Sequence, residues 1–224
     1  MCGRLAVTLP SDSMAQLFQA APANRLPAVP DYNICPTDPV HVVRASGARR
    51  ALVAMRWGFV PSWYKAPTDG PLLINARAET LAEKPAFAAA ARARRCLVPV
   101  SGYYEWARAG EAKLPWYYKR ADGAPLALAG IWQDWQAEEG PMASCALVTT
   151  AANRFAGQVH HRMPVIIEPQ AWGLWLGEEG RGAARLMGPA GETVLTAHRV
   201  SPKVNSNRAE GAELIAPYEP DESA

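Results

Sequence analysis

Apolar positions along the chain fall mainly in short runs with a period of two, or in brief unbroken stretches bounded by turn formers. That is the signature of strands more than of long amphipathic helices. Residues 40–44 and 51–55 flank Ser46-Gly47 and predict a hairpin. Further strands are predicted at 72–74, 96–100, 116–119, 126–133, 144–150, 165–167 and 194–200, with turns at Asp122-Gly123 and Gly140-Pro141. The run at 72–74 reads as a buried strand delivering Asn75, Ala76 and Arg77 to its end. Three helical patterns interrupt the strands. Residues 11–20 can be capped by Ser11 or Asp12 and place Met14, Leu17 and Phe18 on a core-facing stripe. A second opens at Glu79-Thr80, restarts at Pro85 and continues through the alanine-rich run to Ala93, where Arg92, Arg94 and Arg95 complement the helix dipole. A third starts at Pro169 and presents Trp172, Trp175 and Leu176 to the core. Five prolines between 22 and 39 predict irregular chain, with Tyr32-Asn33-Ile34-Cys35-Pro36-Thr37 as an ordered loop.

Composition narrows the class. At 224 residues, 49% hydrophobic and 20% charged, the chain suits one sizeable soluble domain. The expected domain spans residues 2–215, followed by a disordered acidic, proline-containing tail at 216–224. Cys2, Cys35, Cys96 and Cys145 lie far apart without CxxC or Cys/His spacing, so no metal site is read from them. No apolar run approaches the ~20 residues of a membrane span, and a reducing cytoplasm with free thiols is expected. Net charge is only +2, yet residues 1–120 hold 16 Lys/Arg against 8 Asp/Glu, while the remainder holds 7 against 13. Such asymmetry fits a basic face for a polyanion. Between Arg56 and Lys65, Trp57, Phe59, Trp63 and Tyr64 alternate with basic residues and turn formers. This pattern suits either a stacking platform for unpaired bases or a hydrophobic corner of the core.

Candidate chemistry starts at Met1-Cys2-Gly3-Arg4. A cysteine after the initiator is small enough for aminopeptidase removal of Met1, which leaves an amine of pKa ~8 and a thiol of pKa ~8.5 on one residue. The amine can form a Schiff base with an aldehyde, and the thiol can then close a thiazolidine. A frayed terminus is the plain alternative. Glu105 lies among aromatic residues just after a predicted strand, where partial burial would raise its pKa and suit it to proton transfer. His160 and His161 precede Arg162-Met163-Pro164.

These segments form an ordered set. Met1-Cys2-Gly3-Arg4, Tyr32-Asn33 with Pro36-Thr37, Trp57-Gly58, Ile74-Asn75-Ala76-Arg77-Ala78-Glu79-Thr80, Gly102-Tyr103-Tyr104-Glu105-Trp106 and His160-His161-Arg162-Met163-Pro164 together resemble the SOS response-associated peptidase (SRAP) family, the abasic-site processing proteins. The resemblance runs from residue 2 to about Ile215, where Ala212-Glu213-Leu214-Ile215 looks like the family's closing motif. It implies a β-rich α+β single domain with a barrel-like antiparallel core, flanking short helices and a basic DNA-binding cleft. It implies no metal or organic cofactor. The implied activity is recognition of abasic sites in single-stranded DNA and covalent capture of the lesion aldehyde by Cys2, by a monomer that associates with the nucleoid when bound to DNA. By position, Cys2 matches the nucleophile, Asn75 the residue that orients the N-terminus, Glu105 the acid/base and His160 the second proton-transfer group. His160 is preferred to His161 on its spacing to Arg-Met-Pro. Arg4, Arg77 and Arg162 match phosphate-contacting arginines, Trp63 and Tyr64 the aromatic wedge, and Asn33, Pro36 and Thr149 further DNA contacts. Cys35 departs from the family's usual small non-thiol residue and raises a second thiol near the site.

Three other readings stand beside this one. A glutamine amidotransferase also begins Cys-Gly and uses the Cys2 amine as base. It typically carries an Asn-Gly pair, and none of the asparagines here is followed by glycine. An autoproteolytic peptidase would use Cys2, Glu105 and His160 to excise Met1. A non-covalent single-strand binding module would need only the arginines and aromatics.

Overall fold

A computed structural model describes residues 2–110, 112–137 and 140–218. The strands are β1 (Leu5–Val7), β2 (Ala20–Pro22), β3 (Asp31–Ile34), β4 (Pro39–Ser46), β5 (Arg49–Trp57), β6 (Asn75–Arg77), β7 (Arg95–Val100), β8 (Gly102–Ala109), β9 (Ala112–Arg120), β10 (Leu126–Ala137), β11 (Gly140–Ala151), β12 (Arg162–Pro164) and β13 (Leu195–Arg199). The α-helices are α1 (Ser11–Phe18), α2 (Pro85–Ala93) and α3 (Trp172–Leu176). The fold is the expected β-rich α+β single domain.

Two sheets build it. In the larger, β11-β10-β7-β4-β5 are hydrogen-bonded in that order, and β5 returns to β11 through the pairs Ser144↔Arg56 and Cys145↔Trp57, closing a five-stranded barrel. Closure leaves these strands no open edge at that seam, and their apolar residues fill the interior. Val43, Leu52, Leu97, Leu128 and Leu147 are fully buried. The smaller sheet, β13-β9-β8-β1-β3, is antiparallel. One residue, Ser101, separates β7 of the barrel from β8 of the small sheet, so the chain changes sheets almost without a loop. Gly102 permits this: a Cβ there would lie 2.4 Å from the Tyr118 carbonyl oxygen.

Several expected elements shift. Helix α1 ends at Phe18, with Gln19 in the left-handed region, and Leu17 is 44% exposed while Met14 and Phe18 are buried. Its apolar stripe is therefore narrower than the sequence pattern indicates. The predicted strand at 72–74 is displaced: Leu72 is 47% exposed, and the strand is β6, which runs parallel to β11. β8 extends through Glu105, so that residue lies within a strand, opposite Trp116, and not after one. Half of the expected loop at 32–37 is β3, which pairs with β1. Residues 165–167 are not a regular strand; they leave β11 and bond to β10, with Ala129 N donating to Val165 O and Ile167 N to Ala127 O. At the C-terminal end, Val200, Val204 and Leu214 pack on Ala6, Tyr104 and Tyr117 of the small sheet. Tyr218 N still donates to Arg199 O. The rest of the predicted tail, residues 219–224, lies outside the described residues.

Candidate active site

The seam between the two sheets brings together the residues expected to react. Cys2 lies three residues before the start of β1, the strand held between β8 and β3, and is only 1% exposed. Its backbone is fixed from both sides. Tyr104 N of β8 donates to Arg4 O at 3.0 Å, and Asn75 Nδ2, at the first position of β6, donates to Cys2 O at 2.9 Å. β6 in turn is registered on β11 by Leu147↔Asn75. The frayed-terminus alternative therefore does not describe this segment. The Asn75 Oδ1 atom is buried and accepts no hydrogen bond among the described residues.

Glu105 is 4% exposed, and burial pushes its carboxyl above the usual carboxylate range. The Cys2 thiol is driven well up, first by burial and then by the Glu105 carboxylate, so at neutral pH it carries its proton. His160 follows a turn of 3-10 helix at Ala156–Gln158 and sits with Nδ1 3.9 Å from Glu105 Oε1. That separation is beyond direct hydrogen bonding. Its Nδ1 lies 3.0 Å from Arg162 N, which donates to it when the neutral ring carries its proton on Nε2, and 3.2 Å from Arg162 O, which accepts from it in the other tautomer. Burial lowers the His160 pKa and favours the neutral ring. His161 stacks on His160, with centroids 4.4 Å apart and planes at 27°, and faces solvent. Its own pKa is lowered chiefly by His160.

The remaining expected residues divide into two groups. Arg4 and Arg162 are built into the frame. Arg162 is 9% exposed; it forks onto Glu79 at 2.6 and 2.9 Å and donates to Thr149 O at 2.6 Å. This pairing holds the Glu79 carboxyl down at about 2. Arg4 donates to Asn33 Oδ1 and, at 2.9 Å, to Val204 O. Asn33 Nδ2 passes the connection on to Ser206 O and Ala209 O, tying the C-terminal segment across β1 and β3. Cys35 is half-buried and directs its thiol at Asn33 O, 3.3 Å away. Pro36 lies in the following turn, where Thr37 takes a positive φ of 83° and its N donates to Trp57 O.

Arg77, Trp63 and Tyr64 form the outward group. Arg77 is exposed at the end of β6, beside buried Thr149. Trp63 is 58% exposed, edge-on to Tyr64 at 6.3 Å, in the segment that leaves β5 after Gly58. Tyr64 is anchored at its carbonyl by Trp135 Nε1.

A cleft of about 380 Å³ opens at the seam, lined by Gly3, Arg4, Glu105, Trp106, His160 and Asn205 and reaching Arg108 and Lys113. Trp106 Nε1 donates to Asn205 Oδ1 at 2.6 Å, and the Arg4 guanidinium lies 6.0 Å from the Trp106 ring centre. The expected set does not contain Arg108 or Lys113; the two-residue period that places Arg108 on the Trp106 face of β8 was the available signal. A larger groove of about 790 Å³, between α1 and the β4–β5 turn, holds none of the reactive residues. Among the described residues no group of three or more His, Cys, Asp or Glu could hold a metal ion, and no helix is long and apolar enough to cross a membrane.

Comparison with known proteins identifies the family and the fold. The family model described as SOS response associated peptidase (SRAP) matches residues 1–207. The abasic site processing protein YoaM of Bacillus subtilis (strain 168) is 33% identical over 96% of this chain and 97% of its own length. YedK of Escherichia coli (strain K12), which has the same designation, is 30% identical over 97% of this chain and all of its own. HMCES of Gallus gallus, also so designated, is 30% identical over 85% of this chain and 67% of its own. Among solved structures, a protein from Bacteroides thetaiotaomicron shares the fold at a TM-score of 0.85 and 22% identity, covering 97% of this chain and all of that one. One from Bordetella bronchiseptica reaches 0.75 at 26% identity, covering 89% of this chain and all of that one. The chain belongs to the SOS response associated peptidase family.

Proposed function

We propose that this protein recognises abasic sites in single-stranded DNA and captures them covalently through Cys2, shielding the lesion during replication and the response to DNA damage. The observation that carries the reading is the meeting of Cys2, Asn75, Glu105 and His160 at one seam beside a cleft with Arg4, Arg108 and Lys113. The names of the bacterial and vertebrate relatives point to the same substrate.

The chemistry follows from the groups present. With Met1 removed, Cys2 offers an α-amine, and Asn75 holds its carbonyl while keeping a bare Oδ1 acceptor at the same seam. An abasic deoxyribose is mostly a closed hemiacetal. Opening it moves a proton from the anomeric hydroxyl to the ring oxygen, and a buried carboxyl that holds its proton more tightly than usual is suited to that relay. The amine then adds to the aldehyde, and loss of one water gives the imine, with the neutral His160 imidazole placed to move the proton. The Cys2 S–H finally adds across the C=N bond, sulfur to carbon and hydrogen to nitrogen, closing the thiazolidine. Because burial keeps sulfur protonated, the amine reacts first and the thiol second. Stopping at the imine would allow β-elimination and strand cleavage, so ring closure converts a lyase into a shield. Loss of Met1, by autoproteolysis or by an aminopeptidase, is a precondition, read directly from the mass of the N-terminus.

Incubation with single-stranded DNA bearing one abasic site is expected to give a denaturation-resistant adduct that is absent for Cys2→Ala. Identical behaviour of the two proteins on a denaturing gel defeats the covalent reading and leaves a non-covalent DNA-binding module.

A further inference from the structure

β8 and β9 form a hairpin whose register sets Arg108 directly opposite Lys113. Cross-strand neighbours of this kind bring their Cβ atoms to about 5 Å, and like charges so placed destabilise the hairpin. Among the described residues, no carboxylate forms an ion pair with either side chain. Both line the cleft that contains Gly3, Arg4, Glu105 and His160. The single carboxyl in that lining, Glu105, is buried and leaves the opposite face of β8 from Arg108. Trp106, two residues before Arg108 and therefore on the same strand face, is fixed by Asn205, and the Arg4 guanidinium lies 6.0 Å from its ring centre.

We propose that Arg108 and Lys113 form a clamp for one backbone phosphate of the DNA strand flanking the lesion, with Trp106 as the flat surface between that phosphate and the reactive seam. The proposal rests on the abasic-site reading above and extends it to a subsite that lies outside the reactive seam. Arg108 lies about 10 Å along the strand from Glu105 at 3.3 Å per residue; alternation sends the two side chains to opposite faces of β8, and it is the one cleft lined by both that puts the clamp within reach of a phosphate flanking the captured sugar. An arginine fork supplies two parallel donors to phosphate oxygens, and the lysine adds a point charge. Bound phosphate also removes the repulsion between the two side chains, so the hairpin tip is more stable with DNA than without it.

The test measures non-covalent affinity of Arg108→Ala/Lys113→Ala and of wild type for one abasic oligonucleotide across a salt series. Removal of one phosphate contact is expected to lower the slope of log K against log salt by about 0.7. At that figure, the wild-type advantage shrinks about 2.6-fold between 50 and 200 mM salt. A single neutral methylphosphonate linkage, moved along the oligonucleotide on each side of the lesion, should weaken wild type at one position and leave the double variant unaffected there. Arg108→Lys, which keeps the charge, should retain most of the wild-type slope. Equal slopes for wild type and double variant, or loss at the same methylphosphonate position in both, overturn the clamp. Failure of wild type to form any adduct with this DNA instead overturns the capture reaction, and the affinity series still decides the clamp.

Discussion

Two buried ionisable side chains, one in each sheet, set a proposed proton carrier against a structural group. Glu105 in β8 and His41 in β4 are 4% and 1% exposed, and burial pushes each toward its neutral form. His41 faces the start of α1, where its Nε2 meets Ser11 Oγ at 3.1 Å, and its Nδ1 is buried with no hydrogen-bond partner among the described residues. Glu105 faces Cys2 and His160 at the edge of a cleft. A perturbed pKa is common to both, so it does not by itself mark chemistry. Convergence of a nucleophile, a second proton carrier and an opening to solvent does.

The sharpest way to break this contrast is Glu105→Gln. A positioned general acid or base typically contributes 10²–10⁴-fold to rate, about 3–5 kcal/mol at the transition state. The initial rate of adduct formation is expected to fall by that order, while DNA affinity measured before crosslinking stays near wild type. His41→Gln should change the crosslinking rate less than twofold. Equal rates for wild type and Glu105→Gln would make Glu105 as structural as His41.

Legibility in the sequence follows the same division. Glu105 was readable because the residues around it, Gly102-Tyr103-Tyr104-Glu105-Trp106, are a local block with a recognisable order. Asn75 was readable for the same reason, although its strand was misplaced by a few residues: Leu72 and Leu73 look like core, but it is the pairing of β6 with β11, far along the chain, that fixes the strand. His41 gave no signal. A lone histidine in Val40-His41-Val42-Val43 has the alternation of a half-exposed strand, whereas in the fold it is buried against Ser11 at the start of α1. Likewise β3 is hidden among prolines, because its stability comes from β1 across the chain and not from local propensity. Cys2 is the clearest case. Its proposed chemistry is suggested by two residues, whereas its burial depends on β8 and β6, which begin 100 and 73 residues later.

The two groups also differ in the sign of their effect on stability, and this sharpens the comparison. The folded form of Glu105 holds a proton that the unfolded chain releases, so its contribution is present at low pH and lost as pH rises through the raised folded value. His41 behaves oppositely. With its pKa lowered to about 4 from 6.5, the unfolded chain takes up a proton that the folded state refuses. Stability therefore falls as pH drops from 6.5 to 4 and levels below that, by roughly 3 kcal/mol from this group. Across that window wild type should lose stability that His41→Gln keeps, so the difference between their thermal melts should change by this amount; parallel curves would mean that His41 titrates normally.

A smaller effect is expected where the contrast is between two tryptophans instead of two acids and bases. Trp57 is fully buried, with Nε1 donating to Ile74 O, and belongs to the barrel seam. Trp63 is more than half exposed, six residues later in the same aromatic segment. Base stacking on an aromatic ring contributes about 1–3 kcal/mol, so Trp63→Ala should weaken binding of single-stranded DNA by roughly 5- to 150-fold. The same change should shift stability by less than about 0.5 kcal/mol, as expected for an exposed site away from the core. Affinity by fluorescence anisotropy and Tm by calorimetry separate the outcomes. Lost affinity at unchanged Tm assigns Trp63 to the DNA surface; a lowered Tm with unchanged affinity assigns it to the core alongside Trp57.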